Sequence, residues 1–389
     1  MSTAQDHGRV LVAMSGGVDS SVAAAILVEQ GYEAIGATMC LLRSPSERAA
    51  SGCCSIEAAE DARRVADKLG IRHVVLPMQD VFARVVIKDF VEEYSRGHTP
   101  NPCLRCNRFV KFDELLERAR SLGADHLATG HYGRIRHDPE RGRWLLLQGV
   151  DKSKDQSYAL YMMTQAQLER TLFPLGGWTK QETRRRAAEL GLGVADKPDS
   201  QEICFVPDRN YPAFLRQVAP ELVRPGPIAD PSGKVIGQHR GIAFYTVGQR
   251  KRLGISSGEP RYVLRLDPEN NMIVVGDEKD LYSTTLVAKD VNLIATERLP
   301  QALAVTAKIR YNTRDSAATV RPLSDDMAAV VFEQPQRAIT AGQAVVLYQG
   351  DILVGGGTIA DAREAERALV SCEPRAVSNG PLALTACDS

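Results

Sequence analysis

The sequence predicts an α/β protein in which a parallel-sheet domain comes first, a small linker domain second and a β-barrel last. Three observations carry this. Short apolar runs alternate with stretches of helical spacing in the first half; prolines crowd the chain after Val206; and short runs of β-type alternation follow one another from there on. A chain of 389 residues is long enough for two or three domains.

Taken in order, Arg9 to Met14 is a buried strand that ends in glycines, and Ser20 to Gln30 has helical spacing with Gly31 as its stop. Ala34 to Cys40 reads as a strand, Ile56 to Leu69 as a helix closed by Gly70, His73 to Pro77 as a third strand and His126 to Gly130 as a later one. Strands separated by helices of this length form a parallel sheet covered on both faces. Pro207, Pro212, Pro220, Pro225, Pro227 and Pro231 then break helical continuity. Arg261 to Leu266 and Met272 to Val275 flank a turn and read as a hairpin. Val305 to Tyr311, Ala328 to Phe332, Ala344 to Tyr348 and Ile352 to Ile359 supply strands for a small barrel. The expected domains are 1–205, 206–275 and 276–365, with a disordered tail over 366–389.

The composition is that of a soluble globular chain, 44% hydrophobic and 25% charged. No apolar run reaches the roughly 18 residues needed to span a bilayer, and Met1 to Arg9 is polar, so the expected location is the cytoplasm with no membrane partner. Basic and acidic residues balance at 48 each, and total charge does not announce nucleic acid. Local clusters do exist at Arg105, Arg108 and Lys111, at Arg184 to Arg186, and at Arg250 to Arg252. Each alone is an ordinary solvated face; together they are candidate phosphate contacts. Eight cysteines without a repeating framework do not suit a secreted disulfide scaffold. Cys40, Cys372 and Cys387 stand alone and are given no chemical task.

Val10-Leu-Val-Ala-Met-Ser-Gly-Gly-Val-Asp-Ser-Ser21 runs from a strand through two glycines into a helix. Gly16 and Gly17 let backbone approach an anion, and the helix start offers free N–H groups and a partial positive charge. The loop lacks a Walker lysine, which speaks against γ-phosphate transfer. Thr99-Pro-Asn-Pro-Cys-Leu-Arg-Cys-Asn107 places Asn101 as N-cap and Pro102 at the first helical position. Cys103 and Cys106 would then share a face near a helix N-terminus, where the helix end and Arg105 favour thiolate over a free-thiol pKa of about 8.5. Structural zinc is the rival reading, but Cys53 and Cys54 are adjacent and make a poor second pair. A redox dithiol is a weaker rival. Lys197-Pro-Asp-Ser-Gln-Glu-Ile-Cys-Phe205 adds Cys204, which alone would be an inert buried thiol and with the others is a second sulfur for relay chemistry.

The segment SGGVDSS resembles the PP-loop of adenine nucleotide α-hydrolase-like enzymes, which cleave ATP between the α and β phosphates. The wider set is similar to the bacterial tRNA-specific 2-thiouridylases: SGGVDSS, Cys53-Cys-Ser, TPNPCLRCN, Thr129-Gly-His-Tyr132, Asp155-Gln-Ser-Tyr158, DSQEICF, Gly241 to Arg250 and Gly342-Gln-Ala-Val. This resemblance covers about Arg9 to Ile359. It implies thiolation of the wobble uridine in lysine, glutamate and glutamine tRNAs through an adenylated C2 oxygen, with ATP and Mg²⁺. Sulfur would come from a sulfur-relay protein or a cysteine desulfurase. It further implies that Ala13, Met14, Ser15, Gly16, Gly17, Val18, Asp19, Ser20, Met39 and Gly130 hold the nucleotide. Cys106 would be the nucleophile and Cys204 the persulfide carrier, while Asn101, Pro102, Cys103, Lys154, Asp155, Gln156, Arg310 and Tyr311 would touch tRNA. Many relatives have Asp where this chain has Cys103. Cys103 is therefore either a weak acid–base helper or, with Cys106 and Cys204, one of three ligands of an iron–sulfur (4Fe–4S) cluster with an open iron.

Overall fold

The computed structural model describes residues 7–42, 56–199, 203–206, 210–255 and 259–371. Cys53, Cys54, Cys372, Cys387 and the Ser200 to Glu202 part of DSQEICF lie outside the described residues. The chain divides into two compact units. One comprises Met1–Lys88, Pro102–Tyr211 and Asp351–Leu353; the other comprises Asp89–Asn101, Pro212–Gly350 and Val354–Ser389.

In the first unit, strands β1 (Arg9–Ala13), β2 (Glu33–Cys40), β3 (Arg72–Pro77) and β4 (His126–Ala128) are parallel. A charged hairpin, β5 (Gly133–Asp138) and β6 (Arg143–Gln148), follows, and β7 (Thr171–Leu172) completes the parallel sheet in the order β3-β2-β1-β4-β7. The chain steps from β1 outward to β2 and β3, then returns to the other side of β1 for β4. That reversal opens a crevice beyond the carboxyl ends of β1 and β4, where open α/β sheets bind ligands. Helix α1 (Val18–Glu29) buries nearly every side chain, from Val18 through Leu27, because its sequence is apolar all round. Helix α2 (Ile56–Leu69) buries only the Ala58, Ala62, Val65 and Ala66 stripe. Val10, Val12, Val22, Ala23, Leu27, Ala62 and Val65 form the core between these layers.

The second unit holds a four-stranded sheet and a barrel. The sheet is built from β8 (Gly226–Ala229), β9 (Val235–His239), β10 (Tyr262–Asp267) and β11 (Met272–Gly276), in the order β10-β11-β8-β9. The barrel strands are β12 (Tyr282–Leu293), β13 (Leu303–Lys308), β14 (Ser316–Pro322), β15 (Ala328–Arg337), β16 (Ala344–Gln349) and β17 (Ile352–Ile359). Long β12 pairs with β15 over Tyr282 to Ala288 and with β17 over Ala288 to Leu293, which closes the six-stranded barrel. Asp290 adopts φ 51° where the β12–β17 register shifts, the bulge that turns the corner.

Strand and helix positions in the parallel sheet agree with the expectation to within a few residues, and the six-stranded barrel confirms the fold class. Two differences are instructive. Helix α1 starts at Val18 and not near Ser20, which puts Asp19 in its first turn. A helix, Ala362–Ser371, also runs past Glu366, where the sequence suggested disorder. Its Ala365, Ala368 and Leu369 stripe packs on Val287 and Ala360, a short amphipathic pattern that residues 372–389 do not continue in sequence. Among the described residues, no helix is long and apolar enough to cross a membrane.

Candidate active site

The chain leaves β1 at Ala13 and reaches α1 through Met14 to Gly17. Gly16 takes φ +68°, and a Cβ there would lie 2.1 Å from the Ala58 carbonyl oxygen of α2. Only glycine fits. Gly17, by contrast, is extended at φ −99°, caps α1, and a Cβ there would meet only Ser15 Oγ at 3.4 Å. Ser20 Oγ accepts a hydrogen bond from Ser15 N at 3.1 Å and donates to Gly17 O at 3.2 Å, while Ser21 Oγ donates to Gly17 O at 2.8 Å. The loop is thus curled against the first turn of its own helix. Gly130, just beyond β4, packs so closely there that a Cβ would stand 2.7 Å from Ser20 N and 2.8 Å from the Asp19 carbonyl carbon. Ala13, Met14, Ser15, Gly16, Gly17, Val18, Asp19, Ser20 and Gly130 therefore converge at one end of the crevice. Met39 is half-buried at the carboxyl end of neighbouring β2.

Asp19 anchors an ion network that the sequence did not announce. Lys180 Nζ donates to both its carboxylate oxygens, at 2.7 and 2.8 Å, and Tyr132 OH donates to Oδ1 at 2.8 Å. Burial first, then the Asp19 charge, raises the Tyr132 pKa and keeps the phenol a donor. The same Lys180 ammonium lies 2.8 Å from Asp199 Oδ1, and Asp199 also receives Lys154 Nζ at 2.8 Å and Arg184 at 3.2 Å. Burial alone would raise the Asp199 pKa, but hydrogen bonds from Lys154 and Lys180 and their charges outweigh it and hold the carboxyl at about 2. Lys197 Nζ donates to Gly16 O at 3.0 Å and to Asp61 at 2.8 Å, fastening the outer side of the loop.

The expected tRNA residues divide. Lys154 points to Asp199. Asp155 is buried, and its carboxylate accepts from Gly149 N, Ser157 N and Ser157 Oγ, which fixes a turn and leaves its charge within the fold. Gln156 Oε1 accepts from Tyr132 N at 3.0 Å, so this stretch is locked to the Tyr132 strand end. Asn101 is half-buried, Pro102 buried and Tyr311 exposed; the Arg310 guanidinium bonds Ala338 O and Thr340 Oγ1. The three arginines of the Arg184 to Arg186 cluster part ways as helical geometry requires. Arg184 turns to Asp199, Arg185 to Glu189, and Arg186 to Glu29 and Glu189.

A helix does begin at Pro102, as expected, and from Cys106 to Glu114 it widens into π-helical geometry. Cys103 is exposed, and Cys106 and Cys204 are half-buried. Buried Asn107 donates to Ala159 O at 2.8 Å and holds the widened turn in place. Arg105 and Arg108, one and two positions from Cys106 in the chain, stand 4.5 and 4.9 Å from the Phe109 ring centroid. Among the described residues, no group of three or more His, Cys, Asp or Glu side chains is gathered to hold a metal ion. As placed, Cys103, Cys106 and Cys204 do not form the donor set of an iron–sulfur cluster.

Lys180, Tyr132 and Asp199 carry the network and went unassigned in the sequence, while Arg184, a candidate phosphate contact there, turns to Asp199. A signal for Lys180 was present: Thr179-Lys-Gln-Glu182 is a capping box, and both of its reciprocal hydrogen bonds form. It marks a helix start with Lys180 in the first turn, although not what that lysine meets.

Residues 8–208 match the family described as the tRNA methyl transferase HUP domain, 212–277 the tRNA methyl transferase PRC-barrel domain and 283–359 the aminomethyltransferase β-barrel domain. A tRNA-specific 2-thiouridylase of Natranaerobius thermophilus is 52% identical over 359 residues, covering 91% of this chain and 98% of its own. One from Heliobacterium modesticaldum is 55% identical over 353 residues, covering 90% and 92%. Among solved structures, a 4-thiouridine synthetase–RNA complex with bound ATP aligns at TM-score 0.32 and 19% identity over 55% of this chain and 51% of that one, too distant to bear on function. With half or more of both sequences identical across nine-tenths of its length, the chain belongs to the tRNA-specific 2-thiouridylase family.

Proposed function

We propose that this protein is a tRNA-uridine 2-sulfurtransferase that thiolates the wobble uridine of lysine, glutamate and glutamine tRNAs at the expense of ATP. The observation that carries this reading is the Ser15–Ser20 loop at the β1/β4 crevice, closed by Gly130 and backed by a helix N-terminus. Fixed N–H dipoles suit an anion that gains charge as it leaves, the pyrophosphate released on adenylation of the C2 oxygen. The buried Lys180 supplies the cation that the loop's own sequence lacks. Mg²⁺, when bound, would screen the phosphates, and Asp19, whose carboxylate Lys180 and Tyr132 hold at the loop, is the acidic side chain assigned to it in this reading.

In the sulfur half of the reaction, Cys204 receives sulfur as a persulfide from a relay protein or desulfurase. Its terminal sulfur attacks C2 of the adenylated uridine and AMP departs with the C2 oxygen. The Cys106 thiolate then attacks the Cys204 sulfur, which leaves the thiocarbonyl on the base and a Cys106–Cys204 disulfide for later reduction. Cys103 is left without a required step, and none is routed through an iron–sulfur cluster.

The test is product analysis with purified tRNA, ATP, Mg²⁺ and a persulfide donor. AMP, pyrophosphate and 2-thiouridine should form together, and ADP as the nucleotide product would refute the reading. A tRNA that gains no 2-thiouridine while AMP accumulates would refute the sulfur half alone.

A further inference from the structure

The first residue beyond β1 is gripped from β2 through both of its backbone groups. Met14 N donates to Ala37 O at 2.8 Å, and Met14 O accepts from the hydroxyl of buried Thr38 at 2.9 Å. Thr38 Oγ1 also lies 2.9 Å from His73 Nε2 on β3. A hydroxyl has one proton and a carbonyl can only accept, so the Thr38 proton belongs to Met14 O and His73 is the donor in the second bond. His73 therefore carries its proton on Nε2. Room for this ring comes from Gly36, which pairs with His73 and shares a face of β2 with Thr38. A Cβ at Gly36 would stand 3.2 Å from His73 Cδ2 and 2.6 Å from Met14 Sδ.

The peptide plane transmits the grip. Met14 O and the Ser15 N–H belong to one planar trans unit and point in opposite directions. Turning the carbonyl onto Thr38 turns the N–H onto Ser20 Oγ, which accepts it at 3.1 Å and donates in turn to Gly17 O at 3.2 Å. The donors thus run one way, from His73 through Thr38, the Met14–Ser15 peptide and Ser20 to the N-cap of α1, and bonds in such a series strengthen one another.

We propose that Thr38 and His73 are positioning residues for the nucleotide: by fixing the Met14–Ser15 peptide they hold the phosphate loop in the shape that receives ATP and pyrophosphate. The inference rests on the reading of Ser15–Ser20 as the phosphate site. Both residues act through the backbone of the loop, not by touching the ligand. Without the Thr38 hydroxyl, the buried Met14 carbonyl loses its partner and the plane is free to rotate, which takes the Ser15 N–H off Ser20 and uncurls the turn before α1.

The experiment uses the full-length protein with Mg²⁺ and measures ATP and pyrophosphate affinity by titration calorimetry, with KM values for ATP and for tRNA from pyrophosphate release. Thr38→Val keeps the shape and removes the hydroxyl; it should raise the ATP KM and the pyrophosphate Kd by about threefold to tenfold, the worth of one hydrogen bond, and leave the tRNA KM unchanged. Thr38→Ser restores the donor and should recover most of the loss, which a packing defect would not allow. His73→Gln keeps an amide N–H where Nε2 stood and should bind ATP more tightly than His73→Leu. Thermal melting checks that each variant is folded; should Thr38→Val not fold, the His73 pair carries the same comparison. Magnetic resonance of wild type with isotope-labelled histidine should show His73 protonated at Nε2 and bare at Nδ1 in mildly alkaline solution. The ring is neutral there, because burial first and the Arg63 charge second lower its pKa, with Asp67 opposing. Unchanged ATP affinity in folded Thr38→Val, or a neutral His73 with its proton on Nδ1, would overturn the proposal and leave the phosphate-site reading intact. Failure of wild type to bind either ligand would overturn that reading, and the proposal with it.

Discussion

Gly16 and Gly17 are equivalent in the sequence and opposite in the structure, and substituting each by alanine separates the two roles. At Gly16 the new Cβ would stand 2.1 Å from Ala58 O and 2.8 Å from Ala58 C, both backbone atoms of α2, at a φ of +68°. The left-handed backbone costs about 1–2 kcal/mol for alanine, and overpacking against backbone adds about 1–3 kcal/mol. Gly16→Ala should therefore lower stability by about 2–5 kcal/mol, or reduce the melting temperature of the unit by roughly 5–15 °C. At Gly17 the Cβ meets only Ser15 Oγ at 3.4 Å, and φ is −99°. Exchanging an N-cap glycine for alanine costs no more than about 1 kcal/mol, but the methyl group adds bulk to the proposed phosphate loop. The expected pattern is a folded Gly17→Ala protein with weakened ATP affinity, and a Gly16→Ala protein that melts early. Differential scanning calorimetry and nucleotide titration read the two effects. A Gly16→Ala protein melting within a degree or two of wild type would refute the close packing of the loop on α2.

Cys106→Ser and Cys204→Ser should each abolish 2-thiouridine while tRNA-dependent pyrophosphate release continues, and full thiolation by either variant would remove that cysteine from the relay. Protein purified anaerobically should be fully active without iron, and Cys103→Ala should keep thiolating, as iron, sulfide and nucleoside analyses would show. His98 Nδ1 lies 2.9 Å from Glu93 and Nε2 3.6 Å from Asp361; burial lowers its pKa, but the hydrogen bond and charge of Glu93 prevail and raise it, with Lys289 opposing. A raised folded value means that this stabilisation is complete below the unfolded value of 6.5 and fades as pH climbs through the folded one, so His98→Gln should flatten stability measured from pH 6 upward. Exposed Arg250 remains a candidate phosphate contact, and Arg250→Ala should reduce the salt slope of tRNA binding by about one unit; an unchanged slope would exclude the contact.

How far the sequence could be read depended on whether the deciding contact was local. The β1–loop–α1 unit was legible because its parts are consecutive: a buried run, two glycines and a helix all declare themselves within a dozen residues. Strands β12 and β14 and the β5–β6 hairpin were not read from the sequence, and cross-strand pairing stabilises those segments. The candidate site divides in the same way. Its glycines and cysteines carry their meaning in short motifs, whereas the partners that set their electrostatics meet across great sequence distance. Lys180 meets Asp19 across 161 residues and Lys154 meets Asp199 across 45. The missing Walker lysine shows the consequence. Its absence from the loop argued against γ-phosphate transfer, but it did not mean a loop without a cation. The helix Lys180–Glu189 delivers one from outside the motif. Because that cation is shared with Asp199, it joins the β1–α1 turn to a second carboxylate that lies far from the loop in the sequence.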